Sequence, residues 1–362
     1  MFGSRQIKIG AAALLLLLAD HTASAKQPTV SLAVEGAVVE GTPLAWSDSK
    51  VLLLKRDGFL QELVPRNVSN FRKISDTFRP LSQSEMRGQL QREFGPRREV
   101  SGTGNYLVVH PVGQRDRWAR RFEDLYRSFV SYFHVRSMDL ARPDFPLVAI
   151  VFHSQPEFLQ YAQRDGAAVS PAVLGFYCPR SNRVVLYDRT HGTGSDADWH
   201  VNAETIIHEA THQTAFNTLV HSRTAPPPRW AAEGLAMLFE ARGVWNPHHF
   251  QDLRHRINGP RLETFRSYTR TRPNDSLASF IGSSDRLFAS APSQAYAEAW
   301  AFTFFLSEKE PVKYVKYLAR TAQREPLRQL TPAEQLAEFT DIFGRDLKML
   351  ETRYLRFING LP

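Results

Sequence analysis

The run His208-Glu209-Ala210-Thr211-His212 constrains this 362-residue chain more than any other stretch of it. The pattern HExxH makes chemical sense on a helix. Each helical residue advances about 100°, so histidines at i and i+4 share one face a single turn apart, and both imidazoles can reach one metal at about 2.0–2.1 Å. Glu209 lies about 100° round from His208, beside such an ion rather than on it, where a carboxylate can take a proton from activated water. At the His and Glu frequencies of this chain, random placement gives about 0.02 such runs. The competing reading is a solvated helix face that happens to carry two histidines.

The flanking residues fit a helix. Asn202 suits the N-cap, Glu204 puts an acid in the first turn, and neither Gly nor Pro interrupts the run to Val220. Ile206, Ile207 and Ala210 give it a core-facing side. Pro226-Pro227-Pro228 ends it, and residues 230–240 read as a second, nearly apolar helix. Its two acids, Glu233 and Glu240, stand two turns apart and face the same way. A lone carboxylate in so apolar a helix is costly to bury, and a cation opposite removes the cost. Glu233 is therefore the expected third ligand beside His208 and His212. Two imidazoles, one carboxylate and an open position make a catalytic set for one Zn2+ ion rather than a structural one. Arg229 is the alternative partner for Glu233. Gly234 is expected to let the two helices approach closely. Glu240 reads either as the acceptor for a histidine's outer ring N–H or as a plain surface acid.

These residues resemble the gluzincin zinc metallopeptidases, the group of the thermolysin-like and aminopeptidase N-like families. The shared pattern is HExxH followed by Trp230-x-x-Glu233-Gly234-x-Ala236. The likeness extends to a branch of secreted bacterial peptidase MA-like proteins whose helix also reads much like His-Glu-Ala-Thr-His-Gln, and it covers about residues 106–357. It implies a zincin-like fold, His208, His212 and Glu233 as zinc ligands, Glu209 as general base, and hydrolysis of peptide bonds in a peptide or protein substrate. It also implies a downstream Tyr or His as oxyanion donor, and Tyr296 lies at a suitable distance. Tyr296, Trp300, Phe304 and Phe305 are alternatively core aromatics at helical spacing. His248, His249 and His255 are rival donors or ordinary surface histidines. No Gly-x-Met-Glu-Asn strand precedes the motif, so the amine-reading site of the aminopeptidases is not implied. Two readings of other kinds remain: a zinc-bearing but non-proteolytic cell-envelope binding protein, and a zinc amidase acting on peptidoglycan cross-links.

Residues 1–25 read as a secretory signal. Arg5 and Lys8 form a basic start, residues 9–19 an apolar stretch with five consecutive leucines, and Ala23-Ser24-Ala25 a small-residue cleavage site. The stretch is too short to span a bilayer comfortably, and no later segment is apolar for long enough, so stable membrane insertion is not expected. A periplasmic or secreted product is. The single cysteine, Cys178, rules out an internal disulfide and is expected to be a buried, inert thiol. The net charge of +8 is spread without basic runs interleaved with aromatics, which argues against nucleic acid and is compatible with cell-envelope contact or acidic substrates.

The expected class is α+β. Residues 26–82 read as a small β-rich module with a linker at 76–82, and 83–362 as the zincin-like domain. The module is marked by Val38, Val39, Leu44 and Trp46 and by Asp57-Gly58 as a two-residue hairpin. The domain starts as a lobe of helices and a mixed, antiparallel-rich sheet: helix 84–94, hairpin 99–110, helix 115–133, strand 147–152, helix 155–163. A second hairpin pairs 173–178 with 182–187, the latter being the expected open edge for an extended substrate. Beyond Glu240 a mainly helical lobe follows, with helices at 250–256, 294–306 (amphipathic), 311–322, 332–343 and 346–358. Residues 270–293, rich in Ser, Pro and Asp, read as a loop at the cleft.

Overall fold

The computed structural model describes residues 27–114, 117–189 and 199–362. The secretory reading of 1–25 and the first residues of the helix expected from 115 lie outside them. The fold is α+β. The chain forms two compact units, one of residues up to Arg56 with Glu62–Arg79, the other of Asp57–Gln61 and Pro80–Pro362.

The first sheet is built on β1 (Thr29–Val34), β2 (Ala37–Trp46), β3 (Val51–Leu54), β4 (Leu60–Leu63) and β5 (Val68–Ser75), in the order β4-β3-β2-β1-β5, and all of it but Leu60 and Gln61 falls in the smaller unit. Val30 and Leu32, like Val51 and Leu53, stand at alternate positions and share one buried face with Leu63, while Ser31 and Leu52 between them are buried as well. Val38 was expected to contribute to this core, yet it is 71% exposed. The Asp57-Gly58 pair falls within a longer connection between β3 and β4 instead of forming a two-residue turn. Gly58 takes φ +83°, which only glycine adopts cheaply.

The larger unit begins with α1 (Gln83–Phe94), whose Ser82 and Glu85 cap each other's backbone N–H groups. Then come β6 (Arg98–Gly102), β7 (Tyr106–Pro111), α2 (Arg117–His134), β8 (Leu147–Phe152), α3 (Gln155–Arg164), β9 (Gly175–Cys178) and β10 (Arg183–Tyr187). Strand order is β6-β7-β8-β10-β9. The centre of this sheet is parallel, β7 with β8 and β8 with β10, while β6–β7 and β9–β10 are antiparallel hairpins. The sheet is thus less antiparallel than expected, because α2 is a crossover between β7 and β8, and the chain reaches β10 from β8 by way of α3 and the antiparallel β9. One expectation fails outright. The terminal strand is β9, whereas β10, expected at the edge, is enclosed between β8 and β9. Tyr106, Val108, Ala149, Val151, Val184 and Leu186 pack against Trp118 and Phe122 of α2, and the alternate residues Leu107, Val109, Val148, Ile150 and Val185 pack against α1 and α3. With both faces covered, every residue of β8 is buried.

The rest is helical: α4 (Trp199–Asn217), α5 (Arg229–Glu240), α6 (Arg242–Trp245), α7 (Gly259–Tyr268), α8 (Leu277–Ser290), α9 (Pro292–Lys309), α10 (Pro311–Ala322), α11 (Pro332–Phe343) and α12 (Leu347–Asn359). Several of these correct the sequence-based expectations. Helix α4 begins at Trp199, so Asn202 lies inside it and not at its cap. Residues 250–256 supply only a 3-10 turn, Leu253–Arg256. The stretch 270–293 holds α8, whose Leu277, Phe280, Ile281 and Phe288 turn inward. Its Ser, Gly and Asp residues dilute the apolar period, and the helix kinks at Ser283. Helix α9 is not amphipathic: Ala297 to Ser307 are all buried, as befits a helix surrounded by others. Within this core, Arg272 donates from Nε and Nη2 to Oε1 of Glu298 at 2.8 and 2.6 Å and from Nη1 to Glu351. All three side chains are under a tenth exposed.

Candidate metal centre

Helix α4 is held to the sheet by Gln213, a buried residue whose Nε2 donates to the carbonyls of Val148 (3.0 Å) and Asn182 (2.8 Å). That anchor presents His208 and His212 on one face, and α5 packs alongside to bring in Glu233. The Nε2 atoms of the two histidines are 3.1 Å apart, and Glu233 Oε2 lies 3.3 Å from the first and 3.6 Å from the second. Tetrahedral zinc with bonds of about 2.0–2.1 Å requires ligand-to-ligand edges of about 3.3–3.4 Å. The three atoms therefore stand at the spacing of three corners of one coordination shell, and together they form a group able to hold a metal ion. Their side chains are 16, 12 and 17% exposed, shielded but reachable from solvent.

The chemistry of the donors agrees with the spacing. His208 Nδ1 is 2.8 Å from Glu240 Oε1, and a carboxylate there places the ring proton on Nδ1. That leaves Nε2 as a bare lone pair aimed at Glu233, itself an acceptor. Acceptors facing one another repel unless a cation lies between them. Arg229 does not resolve this: its Nε stands 3.9 Å from the other carboxylate oxygen of Glu233, and its side chain is 44% exposed.

Charge preferences in the cluster show the same deficit. Burial alone would raise the Glu233 carboxyl, but the hydrogen bonds from His208 and His212 hold it well below the usual carboxylate range. Burial alone would lower His208, but the Glu233 and Glu240 carboxylates lift it well above an ordinary imidazole. Burial pushes the Glu209 carboxyl upward, partly offset by the two histidines. Its Oε2 accepts the backbone N–H of Tyr177, in β9, at 2.7 Å. The terminal strand thus touches the residue expected to be the base.

Around this core the structure adds residues that sequence reasoning missed. Asn258 Nδ2 donates to Glu240 Oε2 at 2.7 Å, while its Oδ1 caps α7 by accepting the N–H of Arg261 at 3.3 Å. An Asn before Gly259-Pro260 is a readable cap signal, but its second partner is not. Tyr177 also donates its hydroxyl to Asn182 (2.9 Å), and Asn182 and Asn217 exchange side-chain hydrogen bonds at 2.7 and 2.8 Å, tying the β9–β10 hairpin to α4. His221 is buried and pushed down to about 3, by burial first and His212 second, and so is neutral.

Other expected residues stand elsewhere. Tyr296 is half-buried near the start of α9, edge-on to Phe288 at 5.0 Å; among the described residues no hydrogen bond joins it to the three donors. His248 and His249 are exposed, and His255 packs against Phe250 at 5.3 Å. Cys178 is half-buried rather than buried, and it is not among the donors. Gly234 permits a close approach, but to α9 rather than α4. A Cβ there would overlap the Thr303 side chain and stand 2.6 Å from the Ala299 carbonyl.

No curated protein matches the chain. Residues 202–328, a stretch that holds all three donors, Glu209, Glu240, Asn258 and Tyr296, are similar to the family described as protein of unknown function (DUF1570).

Proposed function

We propose that this chain is a zinc-dependent peptidase of the gluzincin type, acting in the periplasm or outside the cell. The observation that carries the reading is the placement of three donor atoms at the spacing of three corners of one coordination shell, with the Glu209 carboxylate close enough to feel all three. His208, His212 and Glu233 would hold the ion and leave a fourth position open. When bound, zinc supplies Lewis acidity toward a carbonyl oxygen and toward water. Glu209 does the proton work. Tyr177 N–H fixes its Oε2, leaving Oε1 to accept a proton from the attacking water and return it to the departing amine nitrogen. Its raised basicity suits a general base at neutral pH. Glu240 fixes the tautomer of His208, and Asn258 fixes Glu240. Tyr296 remains the proposed oxyanion donor, and Tyr296→Phe should then lower kcat with metal content unchanged.

The test uses protein loaded with zinc, quenched fluorescent peptides and casein, with purified cell wall as a separate substrate. Cleavage of peptides that a chelator stops and zinc restores supports the peptidase. Release of fragments from cell wall alone favours the amidase. No turnover of any substrate by zinc-loaded protein contradicts both.

A further inference from the structure

We infer that Arg229 and Arg261 form a carboxylate-reading wall beside the metal centre, directing cleavage to substrates that carry a negative charge near the scissile bond; this rests on the peptidase reading above. Arg229 opens α5, its Nε 3.9 Å from Glu233 Oε1 and its guanidinium 4.3 Å over the ring of Phe288. Phe288 meets Tyr296 edge-on at 5.0 Å, and the guanidinium of Arg261, in the first turn of α7, stands 5.5 Å from the Tyr296 ring. An unbroken series of contacts thus runs from a metal ligand through two aromatic rings to a second arginine. The same arginine is tied to the centre a second way, since Asn258 joins its backbone N–H to Glu240, which orients His208.

Both guanidiniums keep N–H groups open to solvent or a ligand. Among the described residues, neither has a hydrogen-bond acceptor for its terminal nitrogens, and Arg261 has no carboxylate partner. The more deeply buried Arg183 and Arg324 are paired, with Glu93 and Glu338. Glu233 turns Oε2 toward the histidines, and its Oε1 approaches only Nε of Arg229, leaving the terminal nitrogens of that guanidinium open. Both arginines also lie in the first turn of a helix, where the backbone dipole disfavours a cation. Stacking on an aromatic face fixes the plane of a guanidinium while leaving its N–H edge open for a bidentate carboxylate. The anion has two sources in a peptide, an acidic side chain or a free C-terminus, and the same N–H edge reads either.

The experiment compares kcat/KM for matched quenched peptides that differ only in Glu against Gln near the cleaved bond, and for each peptide with a free or amidated C-terminus. Zinc content and circular dichroism are followed for every variant. The wild-type protein should favour the charged member roughly ten- to hundredfold, the range of hydrogen bonds to charged groups. Preference for Glu over Gln identifies the side chain as the source, and preference for free over amidated ends identifies the C-terminus. Arg261→Gln and Arg229→Gln should each bring the ratio towards one, and Arg261→Glu should turn it in favour of Lys-bearing peptides. Cleavage by the wild type without charge preference, or an unchanged ratio in folded, zinc-loaded variants, overturns the wall. If nothing is cleaved, the peptidase reading fails by itself. Fluorescence anisotropy of the same labelled peptides on zinc-loaded protein then decides the wall: tighter binding of the charged peptide upholds it, and equal binding overturns it.

Discussion

Glu298 and Glu351 are buried in the helical region against Arg272, which hydrogen-bonds to both. Glu233 is half-buried on α5, a helix packed against the one that carries Glu298, but what faces it is a pair of imidazole nitrogens. The first cluster contains its own cation and closes on itself. The second brings three electron-pair donors to within 3.6 Å of one another, and Arg229 reaches only the outer oxygen of Glu233, at 3.9 Å. Withdrawing a carboxylate from water costs free energy in both places, and the two clusters meet that cost with different partners. Arg272 answers a structural need, while the triad leaves a gap shaped for an ion.

The sharpest way to break this contrast is to change a carboxylate that takes no part in the gap. Glu209→Gln should lower kcat/KM by about 10²–10⁴ with one zinc still bound per chain, as steady-state kinetics and elemental analysis would show. Retained turnover would remove Glu209 as the base. Next comes the closed cluster. Arg272→Met leaves two carboxylates buried without a cation and should lower unfolding free energy by about 3–5 kcal/mol, read from urea denaturation. Zinc added to that variant should not recover the loss, because those carboxylates do not face imidazoles. A chelator should do the converse. Stripping metal from the wild-type protein should lower Tm by an amount equivalent to about 3–4 kcal/mol at metal concentrations 100- to 1000-fold above Kd, while the apo chain stays folded. The smallest effect is expected at Glu240→Ala, which frees His208 Nδ1 and should weaken zinc about ten- to hundredfold in a competition titration. Unchanged affinity would make Glu240 an ordinary buried acid.

What could be read from sequence was what depends on neighbours in sequence. The face shared by His208 and His212, the two hairpins of the larger unit and strand β8 follow from periods of 3.6 and 2 and from turn residues, and the structure contains each of them. Glu233 could be singled out because a carboxylate in an apolar helix needs a partner. The edge strand was misplaced because strand order is set by the parallel pairing of β8 with β10, a contact across a crossover that no local pattern encodes. Helix α8 was hidden by its own Ser, Gly and Asp residues, and α9 looked one-sided because the partner of Glu298, Arg272, lies outside that helix. Asn258 carried a legible cap but an illegible second role, since its bond to Glu240 exists only once α5 and α7 are packed.

The central claim is that His208, His212 and Glu233 grip one divalent ion. Elemental analysis of purified protein incubated with zinc and then desalted tests it most directly, alongside His212→Ala and Glu233→Ala. One tightly held zinc per wild-type chain, with little or none in either variant, is the result the account predicts. A wild-type protein that retains no metal, or variants that retain as much as it does, would contradict it.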